Sequence, residues 1–214
     1  MDRSAGQRTD RFAGGARSVT GFLAPAEPPS YHLSMAVSAE QSGAQGEVTH
    51  ELFRQVMASF ATGVTVITTQ VRGEVRGMTA NAFMSGSLDP PLCVISVALK
   101  ARMHAFLLEA GHFGVNILGR GQETLIGHFA GRPVEGIDLK YEYADATPMF
   151  AQANATIAAK VIARYACGDH SLFVGHIFAL RHGEGVTPIV LHVGRLASLM
   201  HSHEQTIWPT LDFW

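Results

Sequence analysis

GMTANAFMSGSLDPPLCVISVA, residues 77–98, is the stretch around which the chain is organised. It opens on small hydroxyl and amide side chains, turns at Asp89-Pro90-Pro91 and ends in an apolar strand. Thr79, Asn81, Ser85 and Ser87 are short, so each must serve a group close to its own backbone. Two readings fit. Hydroxyls, amides and backbone N–H groups beside small residues cradle a diphosphate or a planar ring. The same residues also make an ordinary Ser/Thr-rich β-hairpin.

Upstream, Thr49 can cap a helix, with Glu51 favoured by the dipole in its first turn. Leu52, Phe53, Val56, Met57 and Phe60 then share one helical face. Ala61-Thr62-Gly63 stops that helix, Val64 to Thr69 reads as a β-branched strand, and Arg72-Gly73-Glu74 as a turn.

Downstream, Leu92 to Leu99 is a nearly continuous apolar strand, followed by Lys100-Ala101-Arg102. A short helix is expected from Met103 to Ala110, ending at Gly111. Two cations at a helix N-terminus suit an anion, although a solvated basic loop explains them too. Phe113 to Leu118 is a strand interrupted only by Asn116. GRGQET (119–124) lacks the third glycine of a dinucleotide fingerprint and a clear βαβ setting, which excludes a Rossmann reading. Gln122 to Phe129 reads as a helix closed by Phe129-Ala130-Gly131-Arg132, where an aromatic and an Arg beside small residues can cap a ring and a phosphate. Val134 to Thr147 is charged and is expected as an irregular surface loop. Ala155 to Tyr165 and His170 to Leu180 read as long strands joined at Ala166-Cys167-Gly168-Asp169. Arg181 to Gly185 is a hairpin turn, and Pro188 to Leu199 is strand-like with Gly194 as a bulge or close approach. Many strands, short turns and few helices predict a mainly β antiparallel barrel rather than a doubly wound sheet.

Composition narrows the function. Of 214 residues, 47% are hydrophobic and 16% charged, which suits one domain with a thinly charged surface and hints at a second copy as partner. The net charge of -2 leaves no basic footprint for nucleic acid, and no run reaches the roughly 18 apolar residues of a membrane helix. Cys93 and Cys167 match no CxxC or zinc spacing, which fits a reducing, cytoplasmic setting. Residues 1–46 are rich in Gly, Ala, Ser and Pro and read as a disordered extension, with Met35 as an alternative start. Residues 47–200 form the expected domain and 201–214 a C-terminal tail.

GMTANAF followed by SGSLDPPL resembles the flavin reductase-like family, the small reductase components of two-component flavin monooxygenases. FATGVTVITT (60–69), KARMH (100–104) with AGHFGVNIL (110–118), HFAGRP (128–133) and GDHSLFVGHI (168–177) match in the same order, so the resemblance spans about Thr49 to Leu199. It implies a split β-barrel of the FMN-binding flavin reductase type, usually a homodimer with flavin near the subunit interface. The implied activity is hydride transfer from NADH or NADPH to FMN or FAD, with reduced flavin passed to a monooxygenase. The implied flavin-binding residues are Met78, Thr79, Ala80, Asn81, Ser85, Ser87, Ala98, Leu99, Lys100, Arg102, Met103, His104, Phe129, Ala130, Gly131 and Arg132. Gly63 and Thr65 fall near the flavin edge. Gly168, Asp169, His170 and Arg195 are implied at the nicotinamide, with His170 the residue that holds it. Asp169 beside His170 also reads independently as an oriented, polarised imidazole, or else as a solvated turn histidine among 11 histidines.

Such a reaction needs stacking and orientation rather than acid–base machinery. That accounts for the lack of a triad, paired carboxylates or a metal box. The family pattern is broken at Thr156 and Ala159, where an aromatic and a cysteine are usual, and at Arg195, where an aromatic is usual. A flavin-binding module without reductase activity is the alternative. A metal protein using His201, His203 and Glu204 is disfavoured, because two histidines at i, i+2 in a polar tail lack a matching Cys or Asp cluster.

Overall fold

The computed structural model describes residues 47–183 and 186–199. The extension 1–46 with Met35, residues 184 and 185 of the expected turn, and the tail 201–214 with His201, His203 and Glu204 lie outside the described residues.

Helix α1 (His50–Ala58) starts as its sequence dictates: Leu52 N–H donates to the Thr49 hydroxyl at 3.1 Å, and Glu51 sits in the first turn. Strand β1 (Thr62–Gly63) follows, then β2 (Thr65–Val71) and β3 (Glu74–Ala80). Arg72 and Gly73, both with positive φ (54° and 79°), turn β2 into β3, the backbone twist that two-residue hairpins favour. Strands β4 (Phe83–Ser87) and β5 (Leu92–Ala98) form a hairpin whose loop holds a cis Asp89–Pro90 bond. Helix α2 (Arg102–Ala110) ends at Gly111 in the left-handed conformation. Strand β6 (His112–Ile117), helix α3 (Glu123–Phe129), strands β7 (Tyr141–Ala144) and β8 (Thr147–Phe150), the long β9 (Ala155–Cys167) and β10 (His170–His182), and β11 (Ile189–His192) and β12 (Arg195–Ser198) complete the order.

The main sheet is antiparallel, in the order β3-β2-β6-β9-β10-β5-β4. Its two edge strands, β3 and β4, are consecutive in the chain and joined only by Asn81 and Ala82. At about 3.8 Å per Cα step, Ala80 and Phe83 lie within about 11 Å of each other. The sheet must therefore curl until its opposite edges almost meet, leaving a seam where they are not paired. Smaller sheets, β1-β11-β12 and β7-β8, flank it.

Inside the curl, Ile67, Cys93, Ile95, Val97, Phe113, Val115, Ala159 and Phe173 pack with Met103 and Leu107 of α2. A second cluster joins Val64, Val66, Leu118, Phe150, Ala153 and Ile189. Asn116, the polar interruption of β6, is fully buried and satisfied. Its amide donates to the Val66 carbonyl (2.8 Å) and the Thr68 hydroxyl (3.0 Å), and its Oδ1 accepts from Phe150 N–H (2.6 Å). It clips the β7–β8 hairpin to the sheet.

The structure corrects three expectations. Val134 to Thr147 is not wholly an irregular loop, since β7 and the first residue of β8 lie within it. Gly194 is no bulge: with Val193 it makes the positive-φ turn between β11 and β12. The link between β9 and β10 is Gly168-Asp169 alone, with Cys167 paired to His170.

Candidate functional site

The end of β5, the start of α2 and the β9–β10 turn meet at one corner. His170 pairs with Ala98 across the ladder, and Leu99 N–H donates to the Asp169 carbonyl at 2.9 Å. The chain bends there because Gly168 takes the left-handed conformation (φ 58°) in a two-residue turn, the place where glycine is least strained. Asp169 Oδ1 lies 2.7 Å from His170 Nδ1. The hydrogen bond to His170 and its nearby charge, with help from Lys100, hold the Asp169 carboxyl below the usual carboxylate range. A carboxylate can only accept, so Nδ1 carries the proton and Nε2 is left for a ligand.

Lys100 and Arg102 stand on the other side of this corner, both exposed. The N-cap of α2 is Ala101, which offers no side-chain acceptor. The first-turn N–H groups of Arg102 and Met103 therefore remain available to an outside anion. The His104 side chain is committed to the corner itself, with Nε2 2.9 Å from the Ser171 hydroxyl and its ring edge-on to Phe173. Met103 is buried in the core, so only its backbone can face a ligand.

A cavity of about 290 Å³ opens beside α2, lined by Arg76, Gly77, Met78, Arg102, Phe106 and Phe129 among others. Gly77 is required there: a Cβ would fall 2.4 Å from the Phe129 ring. Arg76 was missed in the sequence reading. Its guanidinium lies over Phe106 (5.2 Å to the centroid), one arm meets Glu74, and its buried Nε has no partner. A buried donor without an acceptor costs stability unless something outside the chain satisfies it, and a phosphate oxygen would.

On the other side of the Asn81–Ala82 link lies a groove of about 790 Å³, between α1 and the sheet. Thr62, Gly63, Thr65, Asn81, Phe83 and Ser96 contribute to it, with Phe53 and Met57 from α1 and Phe60 just beyond its end. The Asn81 amide reaches Thr62 Oγ1 at 3.4 Å. Thr79 turns the other way and donates to the Ile126 carbonyl (2.8 Å), so its hydroxyl fixes α3. Ala80 and Met78 pack against the main core, while Ser85 and Ser87 lie on the edge strand β4. Ala130, Gly131 and Arg132 follow α3 and are exposed, and Phe129 stacks on Phe150.

The fold thus gathers Ala98, Leu99, Lys100, Arg102, His104, Gly168, Asp169 and His170 at one corner. Arg195 lies on β12 and pairs with His192 in the small sheet, outside the main sheet that carries the Gly168–His170 turn. Thr156 and Ala159 are buried, so the departures from the family pattern there sit in the packed interior. Burial pushes the Cys93 thiol up to about 11, which makes it an inert hydrophobe. Cys167 is exposed beside the turn. Among the described residues there is no cluster of three or more His, Cys, Asp or Glu able to hold a metal. No described helix is long and apolar enough to cross a membrane.

Comparison with known proteins identifies the family. The family described as flavin reductase like domain matches residues 57–200. An NADH-dependent flavin reductase from Rhodococcus is 38% identical over 156 residues, 72% of this chain and 88% of the relative. The reductase component of 4-hydroxyphenylacetate 3-monooxygenase from Thermus thermophilus is 38% identical over 160 residues, 75% of this chain and 99% of the relative. The solved native-state flavin reductase PheA2 superposes with a TM-score of 0.69 at 38% identity, covering 72% of this chain and 99% of that one.

Proposed function

This chain belongs to the flavin reductase-like family, and on that premise we propose that it is an NAD(P)H:flavin oxidoreductase acting on FMN or FAD and feeding a separate monooxygenase. The observation that carries this reading is the docking of the Asp169–His170 pair onto the Leu99–Arg102 segment. A nicotinamide-positioning imidazole and a phosphate-binding helix start are thereby held a few residues apart.

The residues present fit both ligands. The uncapped start of α2, Lys100, Arg102 and the orphaned Nε of Arg76 offer donors to flavin phosphate. The groove lined by Thr62, Gly63 and Asn81, with Phe53, Phe60 and Phe83, offers small polar and aromatic side chains to the ring. When both are bound, the nicotinamide supplies the hydride and the flavin accepts it. The chain's work is orientation. Asp169 fixes the tautomer and rotation of His170, and His170 Nε2 is presented to the nicotinamide carboxamide. The fold has to bring the reacting atoms within roughly 3–3.5 Å.

The proposal extends to a homodimer in the cytoplasm. In support, α1 leaves Leu52, Phe53, Val56 and Met57 exposed, alongside Phe60 just after it and Met84 of β4. An apolar face of this kind is characteristic of a surface that a partner covers, and a second copy would cover it and close the groove. The two free thiols suit a reducing compartment.

The test is NADH and NADPH oxidation by purified protein without flavin, with FMN and with FAD. Oxidation that saturates with added flavin supports the reading and ranks the flavins. Flavin binding without oxidation of either nucleotide would replace it with a non-catalytic flavin-binding module.

A further inference from the structure

His112, Lys160 and His176 form a row across three neighbouring strands. His112 of β6 pairs directly with Lys160 of β9, and Lys160 pairs directly with His176 of β10. Directly paired antiparallel residues put their side chains on the same face. All three line one cavity of about 370 Å³ with Ala110, Asp145 and Phe178, and none of its lining residues is among those assigned to flavin and nicotinamide. The volume is in the range of small-molecule sites.

Lys160 stands between two imidazoles, and like charges directly opposite one another in a sheet are destabilising, so the row calls for a counter-charge whenever a proton is added to either ring. The chain supplies little. Asp145, on the β7–β8 turn, is the one carboxylate lining the cavity, and among the described residues no carboxylate lies within 4.0 Å of a nitrogen of His112, Lys160 or His176. Of the nearby acids, Glu109 at the end of α2 is committed to Arg72 (3.0 Å), and Glu142 of β7 to Arg181 (3.4 Å). The His112 ring is held in place, with Nδ1 2.9 Å from the buried Thr147 hydroxyl. Among the described residues its Nε2 has no partner. Partial burial keeps His112 below the usual histidine range, so an anion that binds there takes up a proton with it. With both histidines protonated, two histidines and one lysine against one aspartate leave two positive charges.

We propose that the His112–Lys160–His176 row is a second ligand site, selective for a dianionic oxyanion on a small apolar body, such as a phosphate monoester. Phe178, Ala110 and Ala146 supply the apolar wall. The site does not depend on the reductase reading.

Sulfate is the first probe, because it stays a dianion between pH 6 and 8 and any pH dependence then belongs to the protein. The readout is the imidazole proton resonances of His112 and His176 in the full chain, assigned with His112→Gln and His176→Gln. Sulfate should shift both resonances and raise both apparent pKa values, while chloride at matched ionic strength should not. Binding should weaken from pH 6 to pH 8, and Lys160→Met should weaken it about tenfold, the loss of one charge-assisted contact. Phenyl phosphate should bind more tightly than sulfate. Three results would each overturn the proposal: resonances that ignore sulfate, shifts matched by chloride, or affinity indifferent to Lys160→Met. Sulfate binding more tightly than phenyl phosphate would reject the apolar body.

Discussion

Two exposed regions of this molecule differ in how they are held. The corner formed by Leu99–His104 and Gly168–Ser171 is polar, and three named contacts hold it: Leu99 N–H on the Asp169 carbonyl, Asp169 on His170, His104 on Ser171. The outer face of α1 is apolar, and no residue of the helix is buried within the described protomer. Exposure at the corner leaves hydrogen-bonding capacity for small ligands. Exposure on α1 leaves hydrophobic area for a macromolecular partner. The first is prearranged by the chain alone; the second has meaning only with another molecule present.

The largest expected effect breaks the apolar side of the comparison. Val56→Asp puts a charge where a partner would bury it without compensation, a cost of about 3 kcal/mol or more and on the order of a 100-fold weaker dimer. Sedimentation should show monomers at concentrations where the parent is dimeric. The protomer should stay folded, since Val56 is 62% exposed in it. A variant that remains dimeric would remove α1 from the interface.

On the polar side, Arg102→Ala should weaken flavin binding about tenfold, the loss of one charge-assisted phosphate contact. Flavin fluorescence titration measures this, and high salt should narrow the gap between variant and parent. The KM for NADH should stay within about twofold, on the premise that Arg102 touches only flavin phosphate. A change in NADH use alone would place the arginine on the other ligand.

Smaller still is Asp169→Asn, which keeps the turn but loosens the hold on His170. Its kcat/KM for NADH should fall about fivefold. The carboxyl is depressed, so its contribution is present above the ordinary aspartate value and is lost as pH falls through its lower folded value. The parent should therefore keep its NADH affinity into acid further than an unperturbed aspartate allows. An acid limb unchanged by Asp169→Asn would contradict that.

Much of this was legible in the sequence because local physics decided it. The Thr49 cap, the αL glycine after α2 and the long β9–β10 hairpin each rest on residues a few positions apart. The β7–β8 hairpin was not legible, because its four-residue strands are mixed in polarity and are held by distant Asn116 and Thr68. Arg76 escaped notice because its significance, an orphaned Nε over Phe106, exists only after α2 packs on β3. That the strand of Arg195 belongs to the small sheet was not legible either, because no local pattern announces it. The apolar face of α1 was visible as a helical stripe, but a stripe does not say whether its own chain covers it.

The central claim is that His170 serves the nicotinamide while Lys100, Arg102 and the α2 start serve the flavin. It is tested most directly by anaerobic rapid mixing of flavin-loaded protein with NADH, following flavin bleaching in the parent and in His170→Ala. The account predicts that bleaching in the parent saturates with NADH. In the variant it should need on the order of tenfold or more NADH for the same rate, with flavin affinity changed less than about twofold. Equal loss of flavin binding and NADH use would contradict the division of labour at this corner.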